Sequence, residues 1–217
     1  ITIMAPKDFK ELEDMMNFAI TLKKPVVIRY PRGGEAKEKF ITHSQIQYKR
    51  SDILTIGNDV TIVAIGNQVA KALNVCRKLK EAGINAEVIN ARFLKPFDKY
   101  TVLKSINKTH FVVTIEDNSL VGGLGAEVKE LIAERHIPNV IVRNFGYPDV
   151  FVEHGTPQEL EKIYKLDEKS VFNYITNEIK YKKRTNKNNK SNKKNKTKKY
   201  VDNKANKNID ESQNKIG

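Results

Sequence analysis

Apolar residues recur along this chain with two different periods, and the alternation between them predicts most of its elements. From Lys7 to Leu22, Phe9, Leu12, Met16 and Ala19 fall at helical spacing, with Glu11, Glu13 and Asp14 on the opposite face. A β-branched run follows at Val26, Val27 and Ile28, read as a short buried strand stopped by Pro31, Gly33 and Gly34. Residues 34–50 are polar and irregular, which predicts a linker hinged at Gly33 and Gly34, and Asp52 to Ile56 is a candidate short strand. A regular alternation begins at Val60. Strands are expected at Val60–Ile65, Ala86–Ile89, His110–Ile115 and Asn139–Val142. Helices are expected at Gln68–Ala82, Phe97–Ile106 (reached through Pro96) and Gly125–Arg135. The Gln68 helix would present Val69, Leu73, Cys76 and Leu79 on one face. Thr156-Pro-Gln-Glu159 has the form of a capping box with proline at the first helical position, so a helix should start there with Leu160, Ile163 and Tyr164 inward. A last helical stretch is expected from Asp167 to Ile179.

Strands alternating with helices predict an α/β fold whose sheet is mostly parallel and covered by helices on both faces. About 180 patterned residues leave room for one small domain and a piece of another. The expected division is 1–36, the end of one domain; 37–51, a linker; 52–180, a complete α/β domain; and 181–217, a tail.

Composition changes the picture only at the end of the chain. The stretch 181–217 carries 13 Lys or Arg against Asp202, Asp210 and Glu211, so most of the formal charge of +13 lies there. It also holds nine Asn and almost no apolar residues. Such a segment cannot bury enough surface to offset its ordering entropy and is expected to be disordered. A polybasic tail could bind nucleic acid or anionic lipid, but only Tyr181 and Tyr200 interleave it with aromatics, so low-complexity filler is the simpler reading. The single cysteine, Cys76, excludes an intramolecular disulfide framework and suits a reducing compartment. No run approaches the ~20 apolar residues of a membrane span. The chain opens on Ile1 and enters patterned sequence at once, as the back half of a longer protein would, with any targeting segment upstream.

The chemistry candidates are few. In Pro25-Val-Val-Ile-Arg-Tyr-Pro-Arg-Gly-Gly34, Arg29 and Arg32 sit at or just beyond the carboxyl end of a strand, where open α/β sheets bind ligands and guanidinium forks suit phosphate oxygens. Local pairing with carboxylates is the plainer alternative. Glu116-Asp-Asn-Ser-Leu-Val-Gly-Gly-Leu-Gly125 lies between a strand and a helix, a layout that can cradle phosphate on helix-terminal amides. It matches neither a dinucleotide fingerprint nor a P-loop. Its simpler reading is a tight loop whose carboxylates pair with lysines. His154 reads as a loop histidine, and His43, His110 and His136 are isolated. No paired-cysteine, metalloprotease or nucleophile-elbow pattern occurs.

Five ordered stretches resemble a known family. They are Ile3-Met-Ala-Pro-Lys-Asp-Phe-Lys-Glu-Leu12, Val27-Ile-Arg-Tyr-Pro-Arg-Gly33, Asn90-Ala-Arg-Phe-Leu-Lys-Pro-Phe-Asp98, Thr114-Ile-Glu-Asp117 through Gly122-Gly123, and Pro148-Asp149 with His154-Gly-Thr156. Over residues 1–180 they look like the carboxyl-terminal part of the 1-deoxy-D-xylulose-5-phosphate synthase family, transketolase-like enzymes. The resemblance implies the end of a pyrimidine-binding domain followed by a transketolase carboxyl-terminal domain. It implies an enzyme that condenses pyruvate with D-glyceraldehyde 3-phosphate, using thiamine diphosphate and Mg²⁺, to give 1-deoxy-D-xylulose 5-phosphate and CO₂ in non-mevalonate isoprenoid biosynthesis, as a homodimer. Arg32 matches the arginine that grips the substrate phosphate, and Arg29, Tyr30, Pro31 and Gly33 support it. The metal-binding motif, the cofactor-activating glutamate and the active-site histidines of the family would lie upstream of Ile1. This chain alone is therefore expected to bind no thiamine diphosphate and to be inactive. The third domain is expected to serve mainly packing and dimer contacts. The Lys/Asn-rich tail is no family feature. It suits an AT-rich genome such as a malaria parasite's, which would place the protein in a plastid, the apicoplast. Two rivals stay open: another transketolase-like enzyme (a transketolase or a 2-oxoacid dehydrogenase decarboxylase subunit), and a non-catalytic module that binds an acidic partner through its tail.

Overall fold

The computed structural model describes residues 1–31 and 43–185, and falls into two compact units, Ile1–Tyr174 and Ile175–Gly217. The first unit begins with β1 (Thr2–Met4), α1 (Phe9–Thr21) and β2 (Val26–Ile28). β1 pairs in parallel with β2, and on its other side antiparallel with β6 (Phe93–Lys95), giving a sheet of order β2-β1-β6. Neither β1 nor β6 is legible in the sequence, because three residues are too few to show a period-two pattern.

The second sheet is built from β3 (Asp52–Thr55), β4 (Val60–Ala64), β5 (Ala86–Asn90), β7 (Phe111–Ser119) and β8 (Ile141–Tyr147), in the order β3-β5-β4-β7-β8. All neighbours are parallel except the edge strand β3, which runs antiparallel to β5. The α/β class and the mostly parallel, helix-covered sheet thus stand as expected. Helices α3 (Lys99–Thr109) and α4 (Leu124–Glu134) supply Val102, Ile106, Leu124, Val128 and Leu131 to a core with Val63, Ile65, Ile89 and Val112. Helix α2 (Gln68–Glu81) buries Val69, Ala72, Val75, Cys76 and Leu79. Cys76 is buried and free, its thiol 3.7 Å from the Ala86 carbonyl and 3.6 Å from Thr55 Oγ1, as a core residue between α2 and β5.

Several boundaries and faces depart from the sequence reading. In α1 the buried side chains are Glu11 and Met15, whereas Phe9 and Met16 are 57% and 56% exposed. The helix is rotated because its N-terminus is drawn inward by ion pairs, described below. β2 is only half-buried, with Val26 and Ile28 packed against the core of Met4, Met15, Ile46 and Phe93 while Val27 is exposed. Pro96 does not lead straight into α3. Its peptide bond with Lys95 is cis, Phe97 is buried, and Asp98 caps the helix by accepting from the Thr101 amide at 3.1 Å. β8 starts later than expected because Asn139 is left-handed at φ 57°, and it runs on through Arg143 and Asn144 to Tyr147.

The Thr156–Glu159 capping box forms, with Thr156 and Glu159 capping each other's backbone amides at the start of α5 (Pro157–Ile163). No residue of that helix is fully buried; Leu160 and Tyr164 are half-buried, with Tyr164 edge-on to Tyr147, whereas Ile163 is 63% exposed, contrary to the inward position expected of it. Residues 168–174 are helical, with Asp167 accepting from the Ser170 amide at 3.1 Å. In the second unit residues 175–185 are helical, so the helix extends past the boundary expected at 180. The remainder of the tail, 186–217, and residues 32–42, which take in the end of the expected 1–36 segment and the start of the expected linker, lie outside the described residues. No helix among the described residues is long and apolar enough to cross a membrane.

A buried ionic network joins the β1-α1-β2 segment to the larger sheet. Arg92 Nε donates to Glu11 Oε1 at 2.7 Å, and the two side chains are 3% and 1% exposed. Asn90 Nδ2 also donates to Glu11, at 3.0 Å, and the Lys7 amide donates to its other oxygen at 2.7 Å. Arg92 continues to Ser44 O at 3.0 Å and Asp52 Oδ2 at 3.2 Å, fixing the described part of the linker.

Asp8 forms a second node. It caps α1 through the Glu11 amide at 2.6 Å and pairs with Lys7 and, at 2.8 Å, with His43 Nε2. Burial disfavours its charge, but Lys7, the Glu11 amide and His43 outweigh that and hold its carboxyl below the ordinary 3.8. A depressed carboxyl stabilises the fold fully above its unfolded value and loses that contribution as pH falls through the folded one. Asp8→Asn is therefore expected to be less stable than the wild type above pH 3.8, with the difference vanishing on further acidification. Urea denaturation of both proteins across that range measures it.

Candidate functional site at the strand ends

In the larger sheet β4 connects outward to β5 on one side, while β7 lies on its other side. The β4/β7 boundary is thus the point where strand order reverses, and the crevice outside the carboxyl ends there is where such sheets bind ligands. A cleft of about 100 Å³ opens at this point. It is lined by Ala5, by Arg29, Tyr30 and Pro31 beyond β2, by Ile65, Gly66 and Asn67 beyond β4, and by Asp117 of β7. The two sheets therefore bring the expected strand-end motif and the acidic loop to one place.

Arg29 is fixed at both ends. Its backbone amide donates to Met4 O at 2.8 Å, continuing the β1/β2 ladder, and its guanidinium donates to the Asp117 carbonyl oxygen. Across the cleft Asn67 Nδ2 donates to Asp117 Oδ2 at 3.3 Å. Gly66, at φ +63°, makes the turn from β4 that positions Asn67. Tyr30 is exposed beside the cleft and Pro31 lines it. Arg32 and Gly33 lie outside the described residues.

The Glu116–Gly125 loop behaves differently from either expectation. Glu116 is buried and turns its carboxylate onto the N-terminus of α4, accepting from the Leu124 amide at Oε2 and the Gly125 amide at Oε1, both at 2.8 Å. The amides that the loop layout offered to a phosphate are thus taken by the chain's own carboxylate, which satisfies the same orphan donors and favourable dipole end. Burial pushes the Glu116 carboxyl up, opposed by the Gly125 and Leu124 amides, Asn118 and the nearby Arg29 charge. Close approach requires the glycines. A Cβ at Gly123 would collide with the Glu116 carboxylate and stand 2.7 Å from Ser119 O, and one at Gly125 would collide with Asn144. Gly123→Ala is accordingly expected to cost about 1–3 kcal/mol by overpacking, read as a fall in urea midpoint at unchanged slope.

The described residues of this cleft do not fit thiamine diphosphate. The cleft is small beside the ~300 Å³ or more of ordinary cofactor pockets, its arginine and aspartate already contact one another, and the adjacent helix N-terminus holds a carboxylate. Among the described residues no group of three or more His, Cys, Asp or Glu side chains could hold a metal ion. His154 is exposed in the loop before α5, as expected of a loop histidine.

The sequence placed Arg29 at a strand end but gave no hint that Asp117 would be its partner, 88 residues away. It also put Glu11 on the solvent face of α1. Arg92, the lone charge between Asn90-Ala91 and Phe93-Leu94, was the available signal for a buried ion pair.

Residues 50–171 match the family described as "Transketolase, C-terminal domain", and the chain belongs to it. Among curated proteins it is similar to the 1-deoxy-D-xylulose-5-phosphate synthase of Halothermothrix orenii, 41% identical over 172 residues, which is 79% of this chain and 27% of that enzyme. The synthase of Caldanaerobacter subterraneus is 37% identical over 180 residues, 83% of this chain and 29% of that enzyme. The chain thus spans little more than a quarter of the length of these relatives. Among solved structures it is similar to "Split gene transketolase, inactive beta4 tetramer", at 34% identity and a TM-score of 0.75, covering 82% of this chain and 58% of that one. A transketolase of Pichia stipitis, 18% identical with a TM-score of 0.61 over 83% of this chain and 25% of its own, shares the fold.

Proposed function

We propose that the chain supplies the carboxyl-terminal part of a 1-deoxy-D-xylulose-5-phosphate synthase, which joins pyruvate to D-glyceraldehyde 3-phosphate with loss of CO₂ at the start of non-mevalonate isoprenoid synthesis. The observation that carries this reading is the run of synthases, 41% and 37% identical, that align over about four fifths of the chain. The Arg29–Pro31 strand end lining the switch-point cleft supports it, because open α/β sheets bind ligands at that crevice; Arg32 is the proposed phosphate-binding residue. Thiamine diphosphate supplies the carbanion chemistry in such enzymes. Here it, Mg²⁺ and the residues that activate them belong to sequence outside this chain. The chain's own contribution is to bind and orient the phosphorylated aldehyde, with residues 1–36 ending a pyrimidine-binding domain and 52–180 forming the transketolase carboxyl-terminal one.

By itself the chain is expected to be catalytically silent and to pair with cofactor-bearing domains in a homodimer. The related split-gene polypeptide, described as an inactive tetramer, is consistent with such a division of labour. That similarity also favours a second reading, a transketolase exchanging two-carbon units between sugar phosphates. The synthases aligned come from bacteria; the apicoplast placement rests on the tail's composition and on the family. The test is pyruvate turnover by the purified chain, alone and joined to the upstream domains of its full-length enzyme. The expected result is none alone and turnover when joined; turnover by the chain alone overturns the assignment of roles.

A further inference from the structure

The β1-α1-β2 segment lies across the carboxyl ends of three neighbouring strands of the larger sheet. Asn90, which ends β5, donates to Glu11 of α1 at 3.0 Å; Gly66 after β4 lies against Ala5; and the Asp117 carbonyl of β7 accepts from Arg29. The next strand in the order β3-β5-β4-β7-β8 is β8. The loop that leaves it carries three consecutive apolar residues into solvent, with Val150 58% exposed, Phe151 fully exposed and Val152 38% exposed. Val121, also exposed, stands in the adjacent loop that leaves β7, whose Leu120 amide donates to Tyr147 O at 2.8 Å. One exposed apolar residue is ordinary, but a contiguous group marks an interaction surface. The base of the β8 loop is held. Tyr164 Oη donates to Glu153 Oε2 at 2.7 Å, the Tyr147 and Tyr164 rings meet edge-on at 5.4 Å, and the Val150 amide donates to Pro148 O at 2.9 Å.

We propose that Val121, Val150, Phe151 and Val152 form a docking surface for the part of the enzyme upstream of this chain, the remainder of the domain that residues 1–36 end. This rests on the reading of the chain as the carboxyl-terminal part of a longer synthase. The occupant follows from the continuity of the interface already present. β1 leads to Ala5 against the end of β4, and β2 leads to Arg29 against the end of β7, so the two sheets advance side by side. Among the described residues β2 is an edge strand of its sheet, and parallel pairs belong to larger, covered sheets. A further strand added at that edge arrives above the end of β8, where the apolar loop stands. The face that receives the loop is apolar, because the tip offers three valines and a phenyl ring and no charge.

The test is the rate at which a maleimide labels a cysteine placed in the loop, read by mass spectrometry of the labelled peptide in the complete enzyme. Val150→Cys leaves Phe151 in place, and Phe151→Cys replaces the tip itself. Glu81→Cys, exposed at the far end of α2, is the reference. Thiol reactivity follows access, so in the complete enzyme both loop cysteines should label about tenfold or more slowly than the reference. In this chain alone all three should label at similar rates. Labelling of the loop as fast as the reference in the complete enzyme overturns the proposal. Protection that fades on dilution of the complete enzyme, or that arises in this chain alone at high concentration, assigns the face to a second copy and also overturns it. Phe151→Ser provides an independent reading: it should lower the thermal midpoint of the complete enzyme and leave that of this chain unchanged, and equal effects in both contradict the docking. Labelling does not depend on which donor the enzyme consumes, so a failure of the synthase reading, seen as no reaction of pyruvate, is distinguishable from a failure of this surface.

Discussion

Arg92→Met should cost about 3–5 kcal/mol of stability, the toll of leaving one member of a buried ion pair without the other. Glu11 and Arg92 are 1% and 3% exposed and 2.7 Å apart, so the carboxylate left behind would be a buried charge without its counterion. Glu11 would keep Asn90 and the Lys7 amide, so part of its solvation survives. Arg92→Met also releases Ser44 and Asp52, and with them the described part of the linker. Because domains of this size are stable by only about 5–15 kcal/mol, such a loss is large. The double variant Glu11→Met with Arg92→Met removes both charges and should recover much of it. Urea denaturation of the two single variants and the double one measures the coupling. A loss below about 1 kcal/mol for Arg92→Met, within the range of exposed pairs, would show that the pair does not join the two sheets.

Arg32→Ala in the complete enzyme carries the second large effect. An arginine fork on a phosphate makes charge-assisted, bidentate bonds, and losing them should weaken use of glyceraldehyde 3-phosphate by about a hundredfold or more in kcat/KM. Pyruvate KM should be unaffected, and discrimination against unphosphorylated glyceraldehyde should shrink, because only the phosphate interaction is removed. Steady-state kinetics with both aldehydes check it. Unchanged discrimination would return Arg32 to local pairing at the strand end.

Residue pattern made the central strands and helices legible because each is long enough to display its period and is buried as a unit. β4 and β5 are buried throughout, and α2 presents a continuous apolar face. The Thr156–Glu159 box was equally legible, since its hydrogen bonds are local. What escaped depended on partners far along the chain. β1 and β6 exist by pairing with one another, and α1 turned Glu11 inward because Arg92, 81 residues away, neutralises it. Binary patterning treats every carboxylate as a surface residue and so put that helix face in the wrong place. The candidate site was half legible in the same way. The carboxyl end of β2 could be read from Pro31 and the glycines after it. The partner of Arg29 could not, because a backbone carbonyl leaves no mark in sequence. Nor could the fate of the α4 amides, which Glu116 occupies, whereas the sequence reading had its carboxylates pairing with lysines and the glycine-rich spacing also allowed an anion cradle.

The most direct measurement joins the chain to its upstream domains and asks which donor is consumed. With pyruvate and glyceraldehyde 3-phosphate, release of CO₂ and formation of 1-deoxy-D-xylulose 5-phosphate in equal amounts is the result expected of a synthase. Two-carbon exchange from a ketose phosphate without CO₂ release, and no reaction of pyruvate, would contradict it and make the protein a transketolase.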